Sequence, residues 1–180
     1  MKKLIIILLF ISTSLLASYK FLGVDLGADL TVMKSKLESR FKLAFKRDGL
    51  FSYKGNFLGY KSQIHCTHYK NKVASIGVFI AVNKSNCVNC FNKITGLYTK
   101  KYGKPTTATC EFKIPYTQND GYNWQAVRTG NANIFMVWDT KKYRLYISVM
   151  RTKDIMIAYF NNPVFEAKQD KENSLLSKDL

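Results

Sequence analysis

Six residues of this chain are equipped for thiol or metal chemistry: Cys66, Cys87, Cys90 and Cys110, together with His65 and His68. Cys87-Val88-Asn89-Cys90 is a C-x-x-C at the start of an expected helix. Backbone N–H groups there stabilise a thiolate, which is the arrangement redox cysteines use. Cys66 and His68 stand two apart on an expected strand and so share a face. With Cys87 and Cys90 they make a Cys₃His set suited to tetrahedral zinc. The third reading is structural: four cysteines in an exported chain indicate disulfides, with three pairings open. Cys66 shares its strand face with Ile64, and Cys110 shares one with Ala108, Phe112 and Ile114. Both are therefore expected to point inward. The favoured pairing is Cys66–Cys110 with Cys87–Cys90, and the alternative ties Cys87 or Cys90 to Cys66 or Cys110.

The choice among these readings rests on the first eighteen residues, MKKLIIILLFISTSLLAS. Lys2 and Lys3 precede an unbroken apolar run from Leu4 to Ile11, and small and polar residues follow. That is the layout of an export signal. The apolar stretch, even counted to Ala17, falls short of the roughly twenty residues that span a bilayer. Cutting after Ala17 or Ser18 leaves Leu15 or Leu16 at the −3 position, larger than a cleavage site prefers, so a retained anchor is the alternative. Periplasmic or secreted localisation follows from the signal. Oxidation outside the cytoplasm competes with zinc ligation, so the bridges rank above the metal site and no cofactor is implied.

The chain carries 28 basic and 12 acidic residues; without Lys2 and Lys3 the balance is 26 to 12, a net charge of +14. Such an excess favours anionic partners. An exported chain meets acidic head groups, glycans and acidic proteins rather than nucleic acid. The best candidate surface is basic helix residues: Lys36 and Arg40 on a first helix, with Lys100, Lys101 and Lys104 closing a second. If both helices pack on one sheet face, these five form a single cationic patch.

The elements that must position these groups follow from periodicity. Residues 19–28 read as an extended lead-in closed by Gly23 and Gly27. Asp29 caps a helix whose stripe runs Leu30, Met33, Leu37, Phe41 and Ala44 or Phe45. Strands are expected over 50–60, with a turn at Gly55-Asn56, over 61–69, and over 73–82, whose near-continuous apolar run suits a central strand. A second helix is predicted over 87–102, stopped by Gly103. Strand patterns return at 106–114, 122–129, 132–139, 143–150 and 154–160. Tyr122, Trp124, Phe135 and Trp138 alternate along them and read as core or sheet-face residues. The order is helix, three strands, helix, four or five strands. That is an α+β domain over 19–162, two helices packed on a curved antiparallel meander sheet. Residues 163–180 read as a polar tail, a frayed helix or disordered. The two helix-then-strands blocks hint at internal duplication.

The opening FLGVDLGADLTVMKSKL and the helix ending LYTKKYGKP, with the strand order, resemble small periplasmic α+β domains. The group contains the β-lactamase inhibitor protein and the small lipoprotein of the outer-membrane assembly machine. The likeness covers 21–45 and 91–105. It implies work by protein–protein contact without a catalytic centre; no functional residue transfers, and no lipidation cysteine is present here. Neither G-x-S-x-G, H-E-x-x-H nor a phosphate-cradling glycine loop occurs. The expected function is that of a non-catalytic binding protein of the cell envelope. The alternative is a thiol–disulfide or zinc protein built on Cys87 and Cys90.

Overall fold

The computed structural model describes residues 19–83, 86–118, 120–152 and 154–176. The expected signal, 1–18, and residues 177–180 of the expected tail lie outside them. Strands β1 (Lys20–Phe21) and β2 (Val24–Asp25) form a small antiparallel ribbon. Its turn, Leu22-Gly23, has positive φ at both positions (53° and 83°), the backbone twist that suits a two-residue hairpin.

Helix α1 (Leu30–Glu38) starts where expected but stops early. Met33 and Leu37 of its stripe are fully buried. Phe41 leaves the helix and lies over Gly55, where a Cβ would sit 2.6 Å from the ring. Residues expected to continue the helix instead form strand β3 (Lys42–Arg47), paired with β4 (Leu50–Phe57). The segment carries a helical period in sequence, and pairing with β4, interrupted by a bulge between Leu43 and Phe45, overrides it. Gly55-Asn56, expected as a turn, lies inside β4. The chain reverses instead at Leu58-Gly59, with φ of 53° and 83°, before β5 (Tyr60–Tyr69) and β6 (Lys72–Ala81).

Helix α2 (Cys87–Tyr102) has the predicted bounds. After β7 (Thr107–Phe112) a second correction appears: the expected strand 122–129 is helix α3 (Asn123–Thr129). Two turns are too short for a 3.6 period to stand out from alternation. Gly130, left-handed at φ 77°, ends it as a helix C-terminal glycine. Strands β8 (Ala132–Asp139), β9 (Tyr143–Val149) and β10 (Asp154–Asn161) follow. Helix α4 (Asn162–Leu176) occupies most of the expected tail. It is capped by Asn161, whose Oδ1 accepts the Val164 N–H at 3.2 Å, and anchored by Phe165 edge-on to Phe160 at 4.9 Å.

The architecture is α+β, with four helices and an eight-stranded antiparallel sheet of order β3-β4-β5-β6-β10-β9-β8-β7. The expected order of three strands and then four or five becomes four and four, with α3 inserted in the second set and α4 appended. Each half is a helix followed by a four-stranded meander. The last strands of the two halves, β6 and β10, pair antiparallel, with Val78 opposite Ile157. That is the arrangement a two-fold axis through the seam would produce, so the hint of duplication has a structural counterpart.

The core lies on one face of the sheet. Met33 and Leu37 from α1, Phe91, Ile94 and Tyr98 from α2, and Ala126 and Val127 from α3 meet Ile64, Ile76, Val78, Leu145, Ile147 and Ile157. Burying a large aliphatic side chain stabilises by roughly 1.5–3 kcal/mol, so this layer dominates stability. The opposite face is crossed at one end by α4, which packs on β5, β6 and β10. The rest of that face is open. Among the described residues, no helix is long and apolar enough to cross a membrane.

Candidate functional site

The cysteines behave differently from expectation. All four thiols are free. Cys66 occupies the core face foreseen for it, but its strand β5 is third and β7, with Cys110, eighth in the sheet. Five strand spacings put the residues ~24 Å apart, far beyond the ~6 Å that a disulfide allows between Cα atoms. Cys110 lies exposed on an edge strand while Cys66 is fully buried. The Cys66–Cys110 bridge is thereby corrected: the inward expectation holds for Cys66 and fails for Cys110, and their strands are not neighbours. Cys87 and Cys90 sit in the first turn of α2, both buried and not joined. Burial pushes the Cys87 thiol up, against smaller lowering by backbone N–H groups, so the helix start does not yield an activated thiolate. Cys90 instead lies beside Tyr60 on the wall of a cavity of about 330 Å³, lined also by Asn86, Asn89 and Lys93.

The alternative zinc set is not assembled. Cys66 pairs with Ile76, whereas Cys90 lies by Tyr60, six residues or ~20 Å along β5. His68 follows a bulge in β5 and turns its ring to Phe51 at 5.7 Å. Among the described residues no three metal-ligating side chains come together.

The expected basic patch is divided. Helix α1 begins beside Asn71 and Lys72 and ends before Lys42, so it runs along the strands toward the Lys42 end of the sheet. Helix α2 starts at the end where α1 stops, with Cys90 beside Ala81, and finishes by Tyr19 and Trp138. Lys36 and Arg40 therefore stand at one end of the sheet, and Lys100, Lys101 and Lys104 at the other.

What the fold does bring together is a different group. On the open face, Lys42 of β3 is directly opposite Lys54 of β4, and Lys54 is opposite Gln63 of β5. Lys61 projects from the same face two residues from Gln63. These side chains, with Phe79 and Asp154, line a cavity of about 510 Å³. Gln63 Nε2 donates to Ser52 Oγ at 3.0 Å, fixing that part of the floor. Among the described residues none of the three lysines has an ion-pair partner. The chain matches no protein-family model, no curated protein and no solved structure. The geometry therefore carries the functional argument.

Farther along the face, His65 lies between the rings of Phe45 (6.3 Å) and Phe79 (5.0 Å). Its Nε2 is buried without a partner, and burial holds its pKa below the usual 6.5. Half-buried Met156, Phe135, Val137 and Tyr146 continue the surface across β10, β8 and β9. The result is a largely apolar sheet face with three cations at one corner that make no ion pair among the described residues, and one acid, Asp154, on the same cavity wall. Alternation along β4 and β5 was the signal that could have found it. Assigning residue 42 to a helix and Gly55-Asn56 to a turn hid the cross-strand register.

Proposed function

We propose that this chain is an exported, non-catalytic binding protein that docks an acidic segment of a partner protein on the open face of its sheet. The carrying observation is the Lys42–Lys54 opposition, with Lys61 beside it. Like charges directly opposite on paired strands destabilise a sheet, and an acidic partner removes that cost. The aromatic and methionine side chains behind the lysines supply apolar contact area of the kind that anchors interfaces. Residues 1–18 support export, and the resemblance to small periplasmic binding domains supports work by protein contact. The buried, raised Cys87 thiol favours the binding reading over the redox one.

A photo-crosslinking residue at Gln63, compared with one at Lys101, tests this in cells. The expected result is a discrete cross-linked protein from position 63 only. It is lost in K42E/K54E/K61E and kept in K100E/K101E/K104E. Equal products from both positions, or a product indifferent to the open-face charge reversal, overturns the proposal.

A further inference from the structure

The other end of the sheet carries a second cationic site, built by three separate elements. The β3–β4 turn contributes Asp48-Gly49, the β5–β6 turn contributes Lys70, and α4 contributes Lys168, Lys171 and Glu172. Two cavities, of about 360 and 440 Å³, share Asp48, Gly49 and His68. Lys46 lines the second, and Lys70, Lys168 and Lys171 the first.

The ammonium groups share two aromatic rings. Lys70 and Lys171 both lie against the Tyr69 ring, at 5.3 and 6.0 Å from its centroid. Lys46 and Lys34 share the Phe51 ring at 5.4 and 5.8 Å. Lys34 is paired with Glu38 at 3.7 Å and Lys168 with Glu172 at 3.3 Å. Lys46, Lys70 and Lys171 have no carboxylate partner among the described residues. Around the shared wall, four lysines face two acids, Asp48 and Glu172. The Nδ1 of His68 is buried without a hydrogen-bond partner.

We infer that this cleft binds a phosphate-class oxyanion, held by Lys46, Lys70, Lys168 and Lys171 with His68 at its wall. Ammonium groups arriving from three directions suit a multi-oxygen tetrahedral anion better than a planar carboxylate, which is matched by an arginine fork. Arg47 also lines the second cavity, but its guanidinium stacks on the Phe45 ring at 5.6 Å and presents no fork there. His68 supplies the readout. Burial holds it below its usual pKa; Asp48 raises it, and Lys168 and Lys46 lower it. A bound anion opposes burial and the lysines, so it must raise His68 and bind more tightly as pH falls.

The experiment is an NMR titration of both imidazoles of the full chain in sulfate, whose charge is constant across the range, against chloride at matched ionic strength. Only two histidines are present, and His65 on the open face is the internal control. The expected result is a rise of about 1 pH unit at His68, no movement at His65, and at least half the rise lost in K168Q/K171Q. K42E/K54E/K61E retains the full response, which separates this site from the docking face. Equal effects of sulfate and chloride, or a response unchanged in K168Q/K171Q, overturn the inference. Vesicles of phosphatidylglycerol in phosphatidylcholine identify the source of the phosphate. Sulfate-competed binding assigns a lipid head group, and sulfate binding without vesicle binding assigns a free anion; each upholds the site.

Discussion

Reversing one charge in the Lys42–Lys54 pair separates stability from function. Lys54 and Lys42 are cross-strand partners with exposed side chains. Two unit charges ~6 Å apart in water interact by about 0.7 kcal/mol. Lys54→Glu turns repulsion into attraction, a change of about 1.4 kcal/mol that screening at physiological salt cuts to about 0.7 kcal/mol. In a domain of this size that is a rise in Tm of about 1.5–3 °C. In ~1 M salt the Debye length shrinks to about 3 Å and the gain should nearly vanish. Thermal unfolding of the wild type, K54E and K54R at both salt concentrations checks this, with K54R expected to match the wild type throughout. The same K54E protein should lose the cross-link from position 63. A K54E protein that is less stable at low salt, or whose Tm change ignores salt, would refute the claim that these lysines face each other without an ion-pair partner. A stabilised variant that still binds would leave the register intact and remove the lysines from the interface.

Two further predictions address the interior. The hydroxyls of Tyr98 and Tyr159 are hydrogen-bonded to each other in the core, and burial raises the pKa of both. Tyr98→Phe strands a buried hydroxyl and should cost about 1–3 kcal/mol. Y98F/Y159F should cost less than the sum of the single variants, a non-additivity that urea unfolding of the four-protein cycle measures directly. Native-state alkylation followed by mass analysis should label exposed Cys110 first. It should leave Cys66, fully buried with its thiol pushed up to about 12, unlabelled until unfolding. A Cys66–Cys110 disulfide in the folded protein would contradict the strand order.

Local chemistry was readable wherever a segment carried one unambiguous signal. The apolar run of β6 announced a central strand buried on both faces; β6 is central, but Ala74, Ile76, Val78 and Ile80 are buried on one face while Ser75, Gly77 and Phe79 on the other are only half-buried. Gly103 and the stripe Phe91, Ile94 and Tyr98 bounded α2. Failures occurred where pairing overrides a local period. Phe41 and Phe45 are four apart for a helix, and only pairing with β4, with a bulge between Leu43 and Phe45, makes the segment a strand. The site failed for a different reason. Which cysteines or lysines meet depends on strand order and helix direction, and both are properties of the whole chain. The two halves meet across β6 and β10 with opposite senses, so corresponding features of the halves are sent to opposite ends of the sheet. Lys36 and Lys100, each near the C-terminus of its own helix, are separated for that reason. Lys42, Lys54 and Lys61 come together because one meander folds them side by side. The same logic collects Lys46 and Lys70 at the other end of that meander, where α4 crosses and adds Lys168 and Lys171. In a fold of this kind, charges that cooperate are those on adjacent strands of one half, or those joined by an element that crosses between halves.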